Sequence, residues 1–279
     1  MLDNKLNINK LDKGRNGIAC EPQHRNTAAI KNGKPLLSII IPVFQEEKIL
    51  ENSLKLFSPV IRERYSMELI VSDGGSTDRT LEIAEKYADK VIRHQSPARQ
   101  TISQGRNRGA EAASGDILVF INADTKPAEP DKFFRMIAEM AGSGAALGGY
   151  SALACPVQCF PDEVVFKDKV FYAIHNSYVW FLNKIGLGMG RGECQIVCRE
   201  VFREVGGYND NIVAGEDFDL YRRIADRGRI RFAGDLLVLE SPRRFRKYGY
   251  MRTIWSWTLN SLTVWFLGRS VSREWEAVR

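Results

Sequence analysis

The stretch Glu68-Leu69-Ile70-Val71-Ser72-Asp73-Gly74-Gly75-Ser76-Thr77-Asp78 carries an apolar run, a polar break and a glycine pair, in that order. The run over Glu68 to Ser72 is short enough for a strand buried on both faces, and the glycines permit a sharp turn after it. Ser76 or Thr77 can cap the helix that leucine, isoleucine and alanine outline over Thr77 to Tyr87. Strand, turn and helix in succession are the unit of an α/β sheet. The unit repeats on both sides, with strands expected over Leu37 to Val43, Lys90 to Ile92 and Asp116 to Ile121, and helices over Glu46 to Phe57 and Thr101 to Ala113. The alternation predicts a doubly wound, mostly parallel sheet, whose ligands bind beyond the carboxyl ends of its strands.

After Ala123 the rhythm loosens into helices expected over Asp131 to Ala141 and Val170 to Leu182, with an apolar run around Leu147 to Leu153. The 279 residues, 44% apolar and 27% charged, can bury one substantial core. Residues 1–35 are rich in Asn and Lys without apolar periodicity and read as a flexible tail. The start shows no export signal and the five cysteines are scattered, so a cytoplasmic chain is expected. A formal charge of +6 fits affinity for phosphates or anionic lipid and does not point to nucleic acid.

The strand ends hold the candidate chemistry. Ile39-Ile40-Ile41-Pro42-Val43-Phe44 runs into Gln45-Glu46-Glu47, which brings polar groups to the crevice. Asp73 is expected to sit exposed at its strand tip, where it either receives a base or ribose or satisfies turn N–H groups. Asn122 and Asp124, two positions apart, suit a hard divalent cation completed by water and phosphate oxygens, Asp124 being the direct ligand. The competing reading is an Asx cap. Arg106 can grip a phosphate bidentately or belong to the surface. In Ala214-Gly215-Glu216-Asp217-Phe218-Asp219 a glycine turn meets acidic residues at a helix start, which serves either a general base or plain capping.

In order along the chain, Ile39-Ile40-Ile41-Pro42-Val43 with Glu46, Ile70 to Asp78, Arg106-Asn107, Asn122-Ala123-Asp124, Val205-Gly206-Gly207-Tyr208 and Glu216-Asp217 resemble the family 2 glycosyltransferases of the GT-A fold. The resemblance implies a domain over 36–245, with a nucleotide-binding half (36–125) and an acceptor half (126–245). It implies that Pro42, Phe44, Glu46, Asp73, Arg106 and Asn122 surround the nucleotide of a diphosphate-sugar donor. Asp124 would belong to a DxD-type motif holding Mg2+ or Mn2+, and Asp217, with Glu216 beside it, would act on the hydroxyl of a glycan or lipid-linked acceptor. The first aspartate of the usual DxD is Asn122 here. The Gln-x-x-Arg-Trp signature of processive members is absent, and Ser241-Pro242-Arg243-Arg244-Phe245 stands in its place. Single-sugar transfer is therefore expected, with Arg243 and Arg244 either touching the diphosphate or forming a basic surface turn.

The remaining features bear on the acceptor. Gly186 to Gly192 alternates glycines without the strand and long helix of a dinucleotide fingerprint, and reads as a flexible loop near the acceptor. Residues 246–279 form an amphipathic basic and aromatic segment whose uncharged run, Thr253 to Gly268, is shorter than the roughly twenty residues of a spanning helix. It is expected either to lie on an anionic membrane surface, making the protein peripheral at the inner face, or to pack on the core. The spacings Cys155-x-x-x-Cys159 and Cys194-x-x-x-Cys198 allow a zinc site, but buried hydrophobes are the expected role. A sugar nucleotidyltransferase would need a basic glycine-rich loop where Gln45-Glu46-Glu47 stands. A catalytically silent nucleotide-binding or membrane-adaptor module is the remaining alternative.

Overall fold

Ile39, Ile40 and Ile41 are all shielded from solvent, as are Leu69, Ile70 and Val71 and the whole of Ile117–Ile121. Such runs satisfy their backbone only inside a sheet covered on both faces. The computed structural model describes residues 35–96, 99–143 and 146–272. The chain opens with β1 (Leu37–Val43), α1 (Leu50–Leu54), α2 (Pro59–Arg64), β2 (Met67–Asp73), α3 (Thr80–Tyr87), β3 (Lys90–Arg93), α4 (Ile102–Ala112) and β4 (Ile117–Ile121). It continues with β5 (Lys126–Pro127), α5 (Pro130–Gly142), β6 (Ala152–Ala154), β7 (Val157–Cys159), α6 (Phe166–Lys184), β8 (Cys194–Cys198) and α7 (Arg199–Glu204). The last elements are α8 (Glu216–Ala225), β9 (Ile230–Phe232), β10 (Val238–Glu240), α9 (Arg243–Tyr248) and α10 (Tyr250–Leu267).

A seven-stranded sheet has the order β3-β2-β1-β4-β8-β6-β9. Within it only β8 runs against its neighbours, β4 and β6. A small three-stranded sheet, β5-β10-β7, stands apart. The expected doubly wound, mostly parallel α/β sheet is the observed one, with the strand order reversing between β1 and β4, where ligand clefts open.

Several local expectations change. The helix expected from Glu46 begins only at Leu50, because Gln45 takes a left-handed conformation (φ 54°) and the chain turns. That turn is tied to the next one: Gln45 N donates to Ser76 Oγ at 2.8 Å and Glu46 N to Thr80 Oγ1 at 2.7 Å. The Ser76 and Thr77 hydroxyls therefore serve the neighbouring turn, and Asp78 receives the Thr80 N–H at the start of α3. Thr101 does cap α4, in a reciprocal capping box with Gln104. The tail expected over 1–35 lies, up to residue 34, outside the described residues. The boundary drawn between 245 and 246 falls inside α9, whose Phe245 is buried in the core.

Close approach of α4 to β1 positions the first half of the site. A Cβ at Gly109 would stand 2.4 Å from Ile40 Cγ2, so glycine is what lets the helix lie on the strand. Gly109→Ala is expected to cost about 1–3 kcal/mol through overpacking. Gly234→Ala, where a Cβ meets nothing within 4 Å, should leave the melting temperature nearly unchanged. Paired thermal denaturation of the two variants checks the assignment.

Candidate active site

Beyond the ends of β1, β2 and β4 opens a cleft of about 1090 Å3. Pro42, Phe44 and Glu46 line it from the end of β1, and the Arg99 guanidinium lies 5.2 Å from the Phe44 ring centroid. Asp73 departs from its expected exposure. It is 2% accessible, and its carboxylate accepts the N–H groups of Gly75 and Ser76 at 3.1 Å, because the glycine turn folds back over it. Ser72 and Gly74 border the cleft on either side of it.

The strand geometry of β4 stops at Ile121, and Asn122 starts a turn closed by Thr125 N donating to Asn122 O at 3.1 Å. Asn122 and Asp124 still both face the cleft. Asp124 Oδ2 accepts from Arg243 Nη2 at 2.7 Å, so of the two expectations for the basic pair, a place in the site or a surface turn, α9 brings Arg243 into the cleft. Arg244 also lines the cleft, and its burial lowers its proton affinity.

Arg106, offered by the sequence as a phosphate ligand, is 1% accessible and committed to protein acceptors. Nη1 donates to Glu216 Oε1 at 2.8 Å, and Nη2 to Asn122 Oδ1 at 3.2 Å and to Gly192 O at 2.6 Å. The Tyr208 ring lies 5.3 Å from the guanidinium carbon. A guanidinium so placed cannot reach a diphosphate without abandoning Glu216 in a buried setting, at a cost of about 3–5 kcal/mol. Its observed place is as the tie between the β4 turn and the start of α8.

That start is made by Gly215, whose φ of 87° suits glycine, followed at once by Glu216 and Asp217. Asp217 lines the cleft and accepts the Phe218 N–H at 2.9 Å. Burial, then the like charges of Glu216 and Glu193, push its carboxyl up to about 7, against the smaller pull of Arg106. A helix N-terminus and a cation favour the anion, yet here desolvation outweighs them. The acidic start of α8 thus divides its labour: Glu216 holds Arg106, and Asp217 faces open space with a proton affinity near neutrality.

Another part of the cleft wall holds a network that spacing alone did not reveal. Arg191, 2% accessible, donates from Nη2 to Glu193 Oε1 and Glu240 Oε1, both at 3.1 Å. Tyr172 OH donates to Glu240 at 2.9 Å. Arg191 holds Glu193 below the usual carboxylate range despite its burial, whereas burial and the Glu193 charge push Glu240 well above it. Glu240 lies far from Arg191 in sequence, and the pairing of β10 between β5 and β7 brings it here. Nor is Gly186 to Gly192 a loose loop. A Cβ at Gly188 would stand 2.4 Å from Tyr221 O and one at Gly190 2.5 Å from the Tyr221 ring, while Asn183 bonds both N and O of Met189. The alternating glycines let the segment lie flat against α8. Farther out the wall turns apolar through Phe171, Tyr178, Leu182 and Trp257, and burial pushes His175 among them down to about 3.

Among the described residues no group of three or more His, Cys, Asp and Glu could hold a metal ion. Cys155, Cys159, Cys194 and Cys198 are buried free thiols, in keeping with the hydrophobic role expected of them.

The sequence model of glycosyl transferase family 2 matches residues 38–206. A probable glycosyltransferase of Bacillus subtilis, YdaM, is 24% identical over 232 residues, covering 80% of this chain and 54% of its own length. The chain thus spans about half of that relative. The mannosyltransferase PcManGT of Pyrobaculum calidifontis, solved with GDP-Man and Mn2+, superposes with a TM-score of 0.56 at 20% identity over 75% of this chain and 57% of its own. Glucosyl-3-phosphoglycerate synthase of Mycobacterium tuberculosis, solved with Mn2+, UDP and glucosyl-3-phosphoglycerate, superposes at 0.55 and 19% identity over 90% of this chain and 88% of its own. The fold is the GT-A fold, and with its family match running from β1 through α7 the chain belongs to glycosyl transferase family 2.

Proposed function

We propose that the chain transfers one sugar, with inversion, from a nucleotide diphosphate-sugar to a hydroxyl of a glycan or lipid-linked acceptor. One observation carries this reading. Arg106 joins the turn bearing Asp124 to the helix start bearing Asp217, so that a strand-end carboxylate and a high-pKa carboxylate open on one cleft. The donor's base and ribose would lie against Pro42, Phe44 and Glu46, with the diphosphate toward Asp124, Arg243 and Arg244.

Asp217 would accept the acceptor hydroxyl proton as that oxygen bonds the anomeric carbon. The bond from that carbon to the diphosphate oxygen breaks in the same displacement, and its electron pair leaves with the nucleotide diphosphate. Arg243 and Arg244 would stabilise the charge that develops there. Asp124 is a part-exposed carboxylate on the cleft, ion-paired with Arg243 at 2.7 Å, and exchange of that pair would free it as the one protein ligand of a divalent cation otherwise held by substrate phosphate oxygens. Asp124 would hold Mg2+ or Mn2+, which supplies Lewis acidity to the departing diphosphate. Asn122 would take no part in coordination, since its amide oxygen faces Arg106.

Calorimetry with a panel of nucleotide sugars, with Mn2+, Mg2+ or chelator, tests the donor site. Wild type is expected to bind one donor in a metal-dependent manner, and Asp124→Ala to lose at least about tenfold in affinity, the worth of one charge-assisted contact. Failure of every donor to bind would overturn the proposal.

For the base, Asp217→Asn is expected to lower kcat by about 100-fold or more while donor affinity stays within about twofold. Loss of both together would make Asp217 structural. Because the Asp217 carboxyl is raised to about 7, its anion grows as pH rises, so kcat/KM should climb through neutral pH on its acidic limb. Removing a neighbouring like charge in Glu216→Gln should move that limb to lower pH.

A further inference from the structure

The apolar residues of α6 fall in two sets on opposite sides. Tyr172, Val179 and Leu182 face the core, whereas Phe166 (79% exposed), Val170, Ile174, Phe181 and Ile185 form one stripe down the opposite side, at the three- and four-residue spacing of a single helix face. Helix α10 repeats the arrangement. Thr253, Asn260 and Val264 are buried against the body of the protein, and Met251, Trp255, Leu259, Leu262 and Phe266 (75% exposed) point away from it.

The two helices meet where Trp257 stacks on His175 at 5.7 Å, and α10 then crosses to α8, where Trp265 stacks on Phe218 at 5.7 Å. The cleft opens between them, since Ile174 and Tyr178 of α6 and Ile254, Leu262 and Trp265 of α10 all line it. Ile174 and Leu262 belong both to the exposed stripes and to the cleft wall, so the outer apolar surface continues inward toward Asp217.

Charge completes the pattern. The exposed ionic side chains on the two helices are Lys167, Lys169, Lys184 and Arg252, all cationic. The one acid, Asp168 on α6, is buried and paired with Arg246. Asp162 and Glu163 lie in the turn before α6. Among the described residues no helix is long and apolar enough to cross a membrane. An apolar stripe with tryptophan and flanking cations is what an interfacial helix presents to an anionic bilayer.

We propose that α6 and α10 together form a membrane-docking face for anionic lipid, which sets the mouth of the cleft on the bilayer and makes the acceptor an amphiphile whose apolar chain lies between the two helices. The acceptor class rests on the transfer reading above; the docking face does not. An alcohol carried on a long apolar chain would place its head near Asp217 and its chain along Leu182, Ile254 and Leu262, a surface for which a free sugar has no use.

The experiment uses the full chain with vesicles of phosphatidylcholine alone or mixed with phosphatidylglycerol, read by flotation. Wild type is expected on the mixed vesicles. Phe166→Ser/Phe181→Ser on α6 and Trp255→Ser/Phe266→Ser on α10, none of them lining the cleft, should each lower the partition coefficient by about tenfold or more. Lys167→Glu/Arg252→Glu should abolish the preference for mixed vesicles, and it carries the test if an apolar variant fails to fold. Undiminished binding by the α6 variant, or no binding by wild type, would overturn the docking face.

Calorimetry with dodecyl maltoside below its micelle concentration, against maltose, reads the acceptor class. Binding of the alkyl glycoside alone supports an amphiphile; binding of neither, or of both equally, overturns it. The α6 variants should bind nucleotide sugars as wild type does. Vesicle binding without donor binding in wild type would retain the docking face and reject the transfer reading.

Discussion

One buried guanidinium decides the geometry of this protein. Arg106 reaches the interface of the two halves because α4 lies flat on β1, which Gly109 permits, and because the Thr101 and Gln104 capping box starts the helix where it does. From there it bonds Asn122 in the turn after β4, Glu216 at the start of α8 and Gly192 before β8. An unpaired charge at that depth would cost several kcal/mol, so the three acceptors are held in place as firmly as the cation is. The cleft inherits its shape from this arrangement, since the β4 turn and the start of α8 cannot separate without exposing or stranding the charge.

Crowding of buried charge recurs around Arg191. Arg191 bridges two carboxylates, Glu193 and Glu240, with Arg244 also in electrostatic reach, and the result is one acid held low and one pushed high. In both clusters acids crowd together around buried arginine, and one carboxyl takes up the proton affinity that burial imposes. In the Arg106 cluster that carboxyl is Asp217, which faces the cleft, where the proposed transfer would use it as the base. In the Arg191 cluster it is Glu240, tied to Tyr172 and Arg191, where it fixes the wall.

How much of this could be read from the chain follows from the range of the interactions. Strands β1, β2 and β4 were legible because continuous burial leaves a continuous apolar run. The exposed position expected for Asp73 failed because a glycine turn closed over it. The helix expected from Glu46 failed because its first turn is held by Ser76 and Thr80 of another loop. The loop at Gly186 to Gly192 looked mobile, since nothing local shows that Tyr221 fills the space its missing side chains leave. Arg106 was marked as part of the site, but its partners at 122, 192 and 216 could come only from the fold. The Arg191 cluster is hidden for a related reason: Glu193 lies two residues away, but Glu240 arrives on β10 of the other sheet.

Asn122 is best understood through this long-range chemistry. In a metal-binding reading, an amide where an acid is usual looks like a weakened ligand. In the structure its oxygen accepts from Arg106 Nη2 at 3.2 Å. An aspartate there would place a third carboxylate around one guanidinium already shared with Glu216 and acting on Asp217. Its negative charge would raise the Asp217 carboxyl further above 7 and leave less of it as the anion at neutral pH. A neutral amide accepts the same hydrogen bond and adds no charge. The asparagine therefore keeps the tie between the β4 turn and α8 without adding charge beside Asp217, and Asp124, two residues on, is left as the carboxylate of that turn.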